Sequence, residues 1–275
     1  MTLSGVPVRD ALDSAVIALR AGGVESPRLD AELLLAHALG VERTALMLDP
    51  ARPVEGPAVR IFQEAVRRRA VEREPLAYIT GLRAFRRLVL AVDRRVLIPR
   101  PETELLVEAA LELPHGTRAL DVGTGSGAAA LALKDERPDL IVTGIDVSAD
   151  ALAVARANAQ RLGLQVDFRV GDLLEGAPAA DAVIANLPYV ESGARLQPEI
   201  ARHEPAIALR AGPDGLEVVR RLIEQAATGP ARWLALELGL SQARAVERLA
   251  RRAGFATVEI RRDLAGHERV VVVRR

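Results

Sequence analysis

From Arg118 onward, short apolar runs ending in an acid, an asparagine or a glycine alternate with stretches of helical periodicity, a pattern that fits a parallel, doubly wound sheet and little else. Strands are expected at 118–122, 140–145, 166–170, 182–185 leading to Asn186, and 233–237. Helices fall between them: one rich in Ala and Leu after Gly127, then 148–162, 214–227 and 241–253. Two closing strands, 257–260 and 269–273, predict an antiparallel end to the sheet. Upstream, residues 7–74 carry helical periodicity without strand signals. Ser26-Pro27 reads as an N-cap followed by proline at the first helical position, with Leu29, Leu33, Leu34 and Ala38 recurring on one face until Gly40. A second strong helix spans 58–72 and is closed by Pro75. Between the halves, 88–90 and 96–98 predict a two-stranded linker turning near Asp93. Pro101 can then open a helix with Glu102 and Glu104 in its positive first turn. The expected fold is α/β: a doubly wound, Rossmann-like sheet domain (101–275), a small N-terminal helical domain (1–80) and a β-hairpin linker (81–100).

A chain of 275 residues, 49% hydrophobic and 27% charged, is long enough for about two packed domains. Without cysteine there is neither a disulfide framework nor a thiolate metal site, and His37, His115, His203 and His267 are not spaced as ligands on one helix; no metal is expected. Thirty-seven basic residues balance 37 acidic ones, which argues against a chain built to hold a phosphate backbone, so no stable nucleic-acid complex is expected. The N-terminal stretch lacks a basic segment followed by an apolar core, and no run of 18 apolar residues occurs. A cytoplasmic monomer with no membrane association is therefore expected. Locally the balance shifts: between Arg60 and Arg100 eleven arginines face four acids. That stretch is either a set of solvated faces or a docking surface for an acidic protein or RNA.

Gly123-Thr124-Gly125-Ser126-Gly127 lies between a strand and a helix, where glycines let the backbone approach a ligand closely. Asp146 follows Gly127 by about the 20 residues at which an acid can accept from both ribose hydroxyls. The ligand is a dinucleotide or S-adenosylmethionine; the G-x-G-x-G spacing departs from the dinucleotide G-x-G-x-x-G, and no arginine sits beside Asp146 to meet a ribose phosphate. Asp172, after the third strand, would accept from an adenine amino group with Leu173 covering the ring, and Asp121 could face a methionine ammonium.

Asn186-Leu187-Pro188-Tyr189 ends the fourth strand at its carboxyl edge, where ligands bind in such sheets. The Asn186 side-chain oxygen and the Leu187 carbonyl form a pair of neutral acceptors, and Tyr189 offers a flat face. Such a pair would grip both N–H bonds of a planar amide or aromatic amine and aim its nitrogen, while repelling a carboxylate. Glutamine, asparagine and an exocyclic base amine fit this pocket almost equally well.

Several blocks together resemble the protein-(glutamine-N5) methyltransferases that modify bacterial peptide chain release factors, over most of the chain from Glu74 onward. They are Glu74-Pro75-Leu76-Ala77-Tyr78-Ile79-Thr80-Gly81, Ile98-Pro99-Arg100-Pro101-Glu102-Thr103-Glu104, Leu120-Asp121-Val122 with the glycine loop, Asn186-Leu187-Pro188-Tyr189, Glu204-Pro205 with Gly212-Pro213-Asp214-Gly215-Leu216, and Asp263-Leu264-Ala265-Gly266-His267-Glu268-Arg269. The glycine loop is generic to class I methyltransferases; the I-P-R-P-x-T-E block joined to N-x-P-Y is far more specific. The resemblance implies S-adenosylmethionine as methyl donor and, as acceptor, the glutamine amide of the Gly-Gly-Gln motif in class 1 release factors, with the helical domain helping to dock that protein. It also implies that Gly123 to Gly127, Asp146, Leu173 and Asn186 line the cofactor site, and that Asn186 to Tyr189 line the glutamine. Leu187 departs from the family's usual Asn-Pro-Pro-Tyr: carbonyl acceptance survives, a locked φ is lost and a free N–H is gained. The other readings are an adenine-N6 methyltransferase acting on DNA or RNA, a dinucleotide oxidoreductase, and a non-enzymatic binding module.

Overall fold

A computed structural model describes residues 5–275. The chain divides into two compact units, one formed by residues up to Gly81 together with Leu196–His203, the other by Leu82–Arg195 and Glu204–Arg275.

The first unit is helical. Strand β1 (Val6–Pro7) enters α1 (Val8–Ala21), followed by α2 (Pro27–Leu39), α3 (Arg43–Leu48), β2 (Pro53–Val54), α4 (Pro57–Arg67) and α5 (Leu76–Thr80). The two-residue strands β1 and β2 pair antiparallel, a feature the helical periodicity did not signal. Pro27 does sit at the start of α2 and Gly40 does end it in the left-handed conformation (φ 63°), but the Ser26 side chain makes no capping bond. The buried face of α2 is Ala31, Leu34 and Leu35, whereas Leu29 is exposed. After α4 the helix continues as a π-helical turn, Arg68–Glu72, so the expected 58–72 helix is one body with a widened last segment. Leu12, Leu19, Leu34, Leu35 and Phe62 form the core of this unit.

In the second unit β3 (Leu82–Phe85) and β4 (Leu88–Ala91) form the hairpin, with Phe85 opposite Leu88. The turn is therefore at Arg86-Arg87, not Asp93, and 96–98 is irregular although Val96 and Ile98 are buried. Arg86 holds φ 50°, its N–H donates to Glu104 Oε1 (3.1 Å), and its guanidinium pairs with Glu136. Long-range partners impose this turn, and no turn-forming residue announces it. Next come α6 (Thr103–Leu111), β5 (Arg118–Val122), α7 (Ala128–Glu136), β6 (Ile141–Asp146), α8 (Ala149–Leu162), β7 (Asp167–Val170) and β8 (Ala182–Asn186). The chain then contributes α9 (Pro198–His203), which belongs to the first unit, before α10 (Glu217–Thr228), β9 (Trp233–Glu237), α11 (Ala243–Arg252), β10 (Thr257–Arg262) and β11 (Glu268–Arg274).

The seven-stranded sheet has the order β10-β11-β9-β8-β5-β6-β7. Strands β5 to β9 are mutually parallel; β11 pairs antiparallel with both β9 and β10. Successive residues face opposite sides, so Ala119, Ile184 and Val272 join one core with Leu106, Leu131 and Leu152, while Leu120, Val183 and Val271 join the other with Leu222 and Val246. The strand order reverses between β5 and β8, the topological switch point at which an open α/β sheet leaves a crevice. Ser148 caps α8 through its hydroxyl, accepting from the Ala151 N–H at 3.1 Å. Among the described residues no helix is long and apolar enough to cross a membrane.

Candidate active site

The turn after β5 carries Gly123, Gly125 and Gly127 at φ 73°, 55° and 81°, values that a side chain would strain. Its first two amides, Gly123 and Thr124, donate to the Ile145 carbonyl at 2.8 and 2.9 Å, pulling the turn over the end of β6. Gly144 permits this approach: a Cβ there would lie 2.6 Å from the Phe168 ring and 2.8 Å from Thr124 Oγ1. From α8 the fully buried Asn158 donates to the Ser126 carbonyl (3.0 Å) and exchanges bonds with both backbone groups of Ala91, tying the glycine turn to the hairpin.

Asp146 ends β6 with Oδ1 accepting from the Ser148 N–H and Oδ2 from the Gly125 N–H, both at 2.9 Å. The Val147 N–H also acts on this carboxylate, which has about four acceptor positions in all, so capacity is left for a ligand. Burial raises its pKa, with the backbone N–H bonds opposing. Asp121 lies inward of the turn, where its Oδ2 accepts from Thr124 Oγ1 (2.7 Å) and the Ala130 N–H (3.1 Å). Burial pushes it up to about 6.

A cleft of about 290 Å³ opens at the switch point, and eight of the residues nominated from sequence line it: Gly123, Gly125, Asp146, Asp172, Leu173, Asn186, Leu187 and Pro188. Thr124 and Ser126 instead line an adjoining cavity of about 50 Å³ with Asp121, Thr103 and Asn186. Gly127 and Tyr189 line neither; Gly127 is the left-handed N-cap of α7, where a Cβ would meet Leu131 at 3.0 Å. Asp172 is held by Arg221 at 2.7 Å, and both line the cleft. Leu173 is buried at φ 57°, a conformation that leucine seldom adopts.

Asn186 is the last residue of β8. Its Nδ2 donates to Thr103 Oγ1 at 2.9 Å, and its Oδ1 is buried with no hydrogen-bond partner. Leu187 packs over the glycine turn, its Cδ2 3.1 Å from where a Gly123 Cβ would stand. Tyr189 is fixed from behind: Gln242 Nε2 donates to its carbonyl (3.0 Å), a Cβ on Gly215 would collide with that carbonyl oxygen at 2.3 Å, and one on Gly239 would press on the ring at 3.1 Å. Burial, followed by the nearby Glu237 carboxylate, pushes the phenol up to about 12, so Tyr189 is neutral at physiological pH.

Three residues of this neighbourhood were not nominated from sequence. Thr103 and Glu237 are 5% and 3% exposed, and Glu237 sits directly opposite Asn186 on the neighbouring strand. Glu204 is buried and pairs with Arg100 at 2.6 Å, joining two of the blocks quoted above. An acid closing an apolar strand was the available signal for Glu237; it already served for Asp146. The arginine-rich stretch resolves largely into ion pairs with carboxylates both near and distant in sequence: Arg67 with Glu64 and Glu72, Arg69 with Asp30 and Glu199, Arg86 with Glu136, Arg87 with Asp135, Arg100 with Glu204. Arg69 and Arg86 are largely buried in these pairs, as Arg73 is in its pair with Glu199, so the stretch is in good part internal ion pairing and fits neither a set of solvated faces nor a free basic surface.

A parallel sheet with an antiparallel closing hairpin, a glycine turn beside an acid at the switch point, and a bare amide acceptor one strand away together define a Rossmann-like methyltransferase. A family model for the methyltransferase small domain matches residues 101–206, and one for the PrmC N-terminal domain matches residues 10–81. The chain belongs to the release factor glutamine methyltransferase family. It is 42% identical to the release factor glutamine methyltransferase of Mycolicibacterium smegmatis over 283 residues, covering 98% of both chains. To that of Deinococcus radiodurans it is 42% identical over 276 residues, again 98% of both, and to that of Rhodospirillum rubrum 42% over 273 residues, 96% of this chain and 84% of the relative. Among solved structures, a methyltransferase from Pyrococcus furiosus shares the fold at a TM-score of 0.53 and 17% identity, over 78% of this chain and 96% of that one. The hMettl16 catalytic domain does so at 0.56 and 15%, over 82% and 83%.

Proposed function

We propose that this protein transfers a methyl group from S-adenosylmethionine to the side-chain amide nitrogen of the glutamine in the Gly-Gly-Gln motif of class 1 peptide chain release factors. The observation that carries the reading is the Asn186 Oδ1, a buried acceptor without a partner on a residue that lines the cleft. Buried polar atoms are nearly always satisfied, so an orphaned one in a cleft marks a place for a donor. Supporting it, relatives aligned over nearly the whole chain carry the glutamine methyltransferase name, which disfavours the adenine alternative.

The residues fit the methyl donor. Gly123 and Gly125 leave room for a close ligand, Asp146 has acceptor positions left for ribose hydroxyls, and Leu173 offers an apolar surface in the same cleft. Asp172, in this reading, accepts from the adenine amino group, in competition with Arg221. When bound, S-adenosylmethionine supplies a methyl activated by its sulfonium charge. The chain's own part is positional. Asn186 Oδ1 and the Leu187 carbonyl accept the two N–H bonds of the glutamine amide and fix its nitrogen at attack distance, about 3 to 3.5 Å from the reacting carbon. Pro188 keeps Leu187 extended, and Tyr189, next in the chain although outside the lining of the cleft, is assigned to the amide plane. Neither acceptor is basic, so the amide proton leaves late, as positive charge builds on nitrogen. The helical domain, residues 1–80, serves in docking the release factor, with the 81–100 segment as the link to the methyltransferase domain.

The test is mass spectrometry of a purified release factor incubated with the protein and S-adenosylmethionine carrying a labelled methyl. The expected product carries one methyl on the motif glutamine. Label in nucleic acid and none in the release factor would reverse the assignment.

A further inference from the structure

The carboxamide of asparagine is nearly symmetric in outline, so shape alone does not decide which end, oxygen or NH2, faces a ligand. The decision here falls to three residues from three elements: Asn186 at the end of β8, Glu237 opposite it at the end of β9, and Thr103 at the first position of α6. Thr103 Oγ1 accepts from Asn186 Nδ2 at 2.9 Å, and the same hydroxyl acts as a donor that holds down the pKa of the Glu237 carboxyl, the strand neighbour of Asn186. A hydroxyl has one proton. With that proton given to Glu237, Thr103 offers Asn186 only lone pairs, so the amide turns its NH2 inward and leaves Oδ1 as the free end.

We propose that Thr103 and Glu237 are positioning residues that hold the Asn186 carboxamide with its oxygen, not its NH2, available to the substrate, and so make the site select an N–H donor. The inference rests on the site reading given above. An ordinary strand end gives no reason for Glu237. Its side chain is buried, its Oε2 has no partner, and the next residue, Leu238, is a plain apolar one. A buried carboxylate with an idle oxygen is a cost in stability, and its return here is the fixed polarity of the neighbouring amide.

The arrangement can be reversed by one proton. A protonated Glu237 donates to Thr103, which frees the threonine proton for Asn186 Oδ1 and turns the NH2 outward. Besides Thr103, the groups acting on Glu237 are Glu102 at the N-cap of α6, Arg100 before that helix, Arg269 in β11 and Tyr189 after β8. Burial outweighs the two arginines, pushing Glu237 up to about 7. Methyl transfer is therefore expected to fall on the acid side of neutrality.

The experiment compares wild type, Asn186→Ala, Thr103→Val, Thr103→Ser and Glu237→Gln in steady-state methylation of a full-length release factor between pH 6 and 9, with S-adenosylmethionine affinity measured by calorimetry. Thr103→Val should lower kcat/KM by about 10- to 100-fold with cofactor Kd within about twofold of wild type, the scale of one misplaced buried hydrogen bond. Thr103→Ser should recover to within about threefold, since it keeps the hydroxyl. Glu237→Gln should lower the rate and abolish the acid limb of the pH profile. The inference is overturned if Thr103→Val matches wild type while Asn186→Ala is inactive, or if Thr103→Ser is as poor as Thr103→Val. If Thr103→Val does not fold, the serine variant and the two pH profiles decide; an acid limb that survives in Glu237→Gln counts against it. A wild type that leaves glutamine unmethylated, or an Asn186→Ala variant as active as wild type, defeats the underlying site reading instead, a result distinct from the others.

Discussion

An orphaned acceptor is costly to keep, and Asn186 Oδ1 bears that cost in the unliganded protein. Stability and activity should therefore part company at this residue. Asn186→Ala removes one unsatisfied atom while stranding Thr103, so unfolding free energy should move by less than about 1 kcal/mol, whereas turnover should fall by about 100-fold or more. Denaturant titration beside single-turnover methylation measures both, and parallel losses would contradict the role. Glu237 yields a second expectation. Its pKa is raised from 4.5 to about 7 on folding, so its favourable contribution to stability is complete below pH 4.5 and disappears as pH rises through 7. Glu237→Gln stays neutral throughout. The melting temperature of the variant relative to wild type should thus climb between pH 4.5 and 7 and level off above; a constant difference would show that Glu237 ionises normally. Sequence reading reached Asn186 through its place after an apolar strand. It did not reach Glu237 or Thr103, because their bond to each other and to Asn186 depends on strand register and on where α6 begins.

Elements matter here chiefly through their ends. The glycine turn after β5 and the Asn186 turn after β8 adjoin because the strand order reverses between them, and each turn is fitted to its neighbour by missing or small side chains. Gly144 is the tightest such point within a strand. Gly144→Ala should destabilise by about 1 to 3 kcal/mol, since the new methyl meets the Phe168 ring and Thr124 rather than open space, and overpacking exceeds the small gain in backbone entropy. A shift of the urea midpoint measures it, and an unchanged midpoint would mean the turn has slack. Every strand of the main sheet was placed within a residue or two; β5, β8, β9 and β11, buried on both faces, leave a nearly uninterrupted apolar signature, whereas the edge strands β7 and β10 are largely exposed or half-buried and were legible mainly from the alternation of the elements around them. The linker hairpin was not. Its turn is two arginines, Arg86 held by Glu104 and Glu136, 18 and 50 residues away, and Arg87 paired with Asp135, while Val96 and Ile98 are buried without pairing to a strand.

At the scale of the whole molecule, the division into two compact units cuts across the order of the chain, since Leu196–His203 packs with the N-terminal helices. Glu199 of α9 receives both Arg69 and Arg73, and His203 Nε2 meets the Glu72 carbonyl at 2.9 Å. Nothing in the sequence marks this, because charges this far apart show no pattern until the fold joins them. Glu199→Ala would leave two largely buried guanidiniums short of a partner. We expect a loss of about 2 to 3 kcal/mol and faster hydrogen exchange over 196–203, with unchanged exchange arguing that apolar contacts alone seat the segment. The function asks less of this unit than of two oxygens in the other. The most direct test of the central claim is a crystal structure of the protein with S-adenosylhomocysteine and a full-length release factor. The account predicts the motif glutamine nitrogen within about 3.2 Å of both Asn186 Oδ1 and the Leu187 carbonyl oxygen. A glutamine amide bound through other groups, with those two oxygens facing protein or solvent, would contradict it.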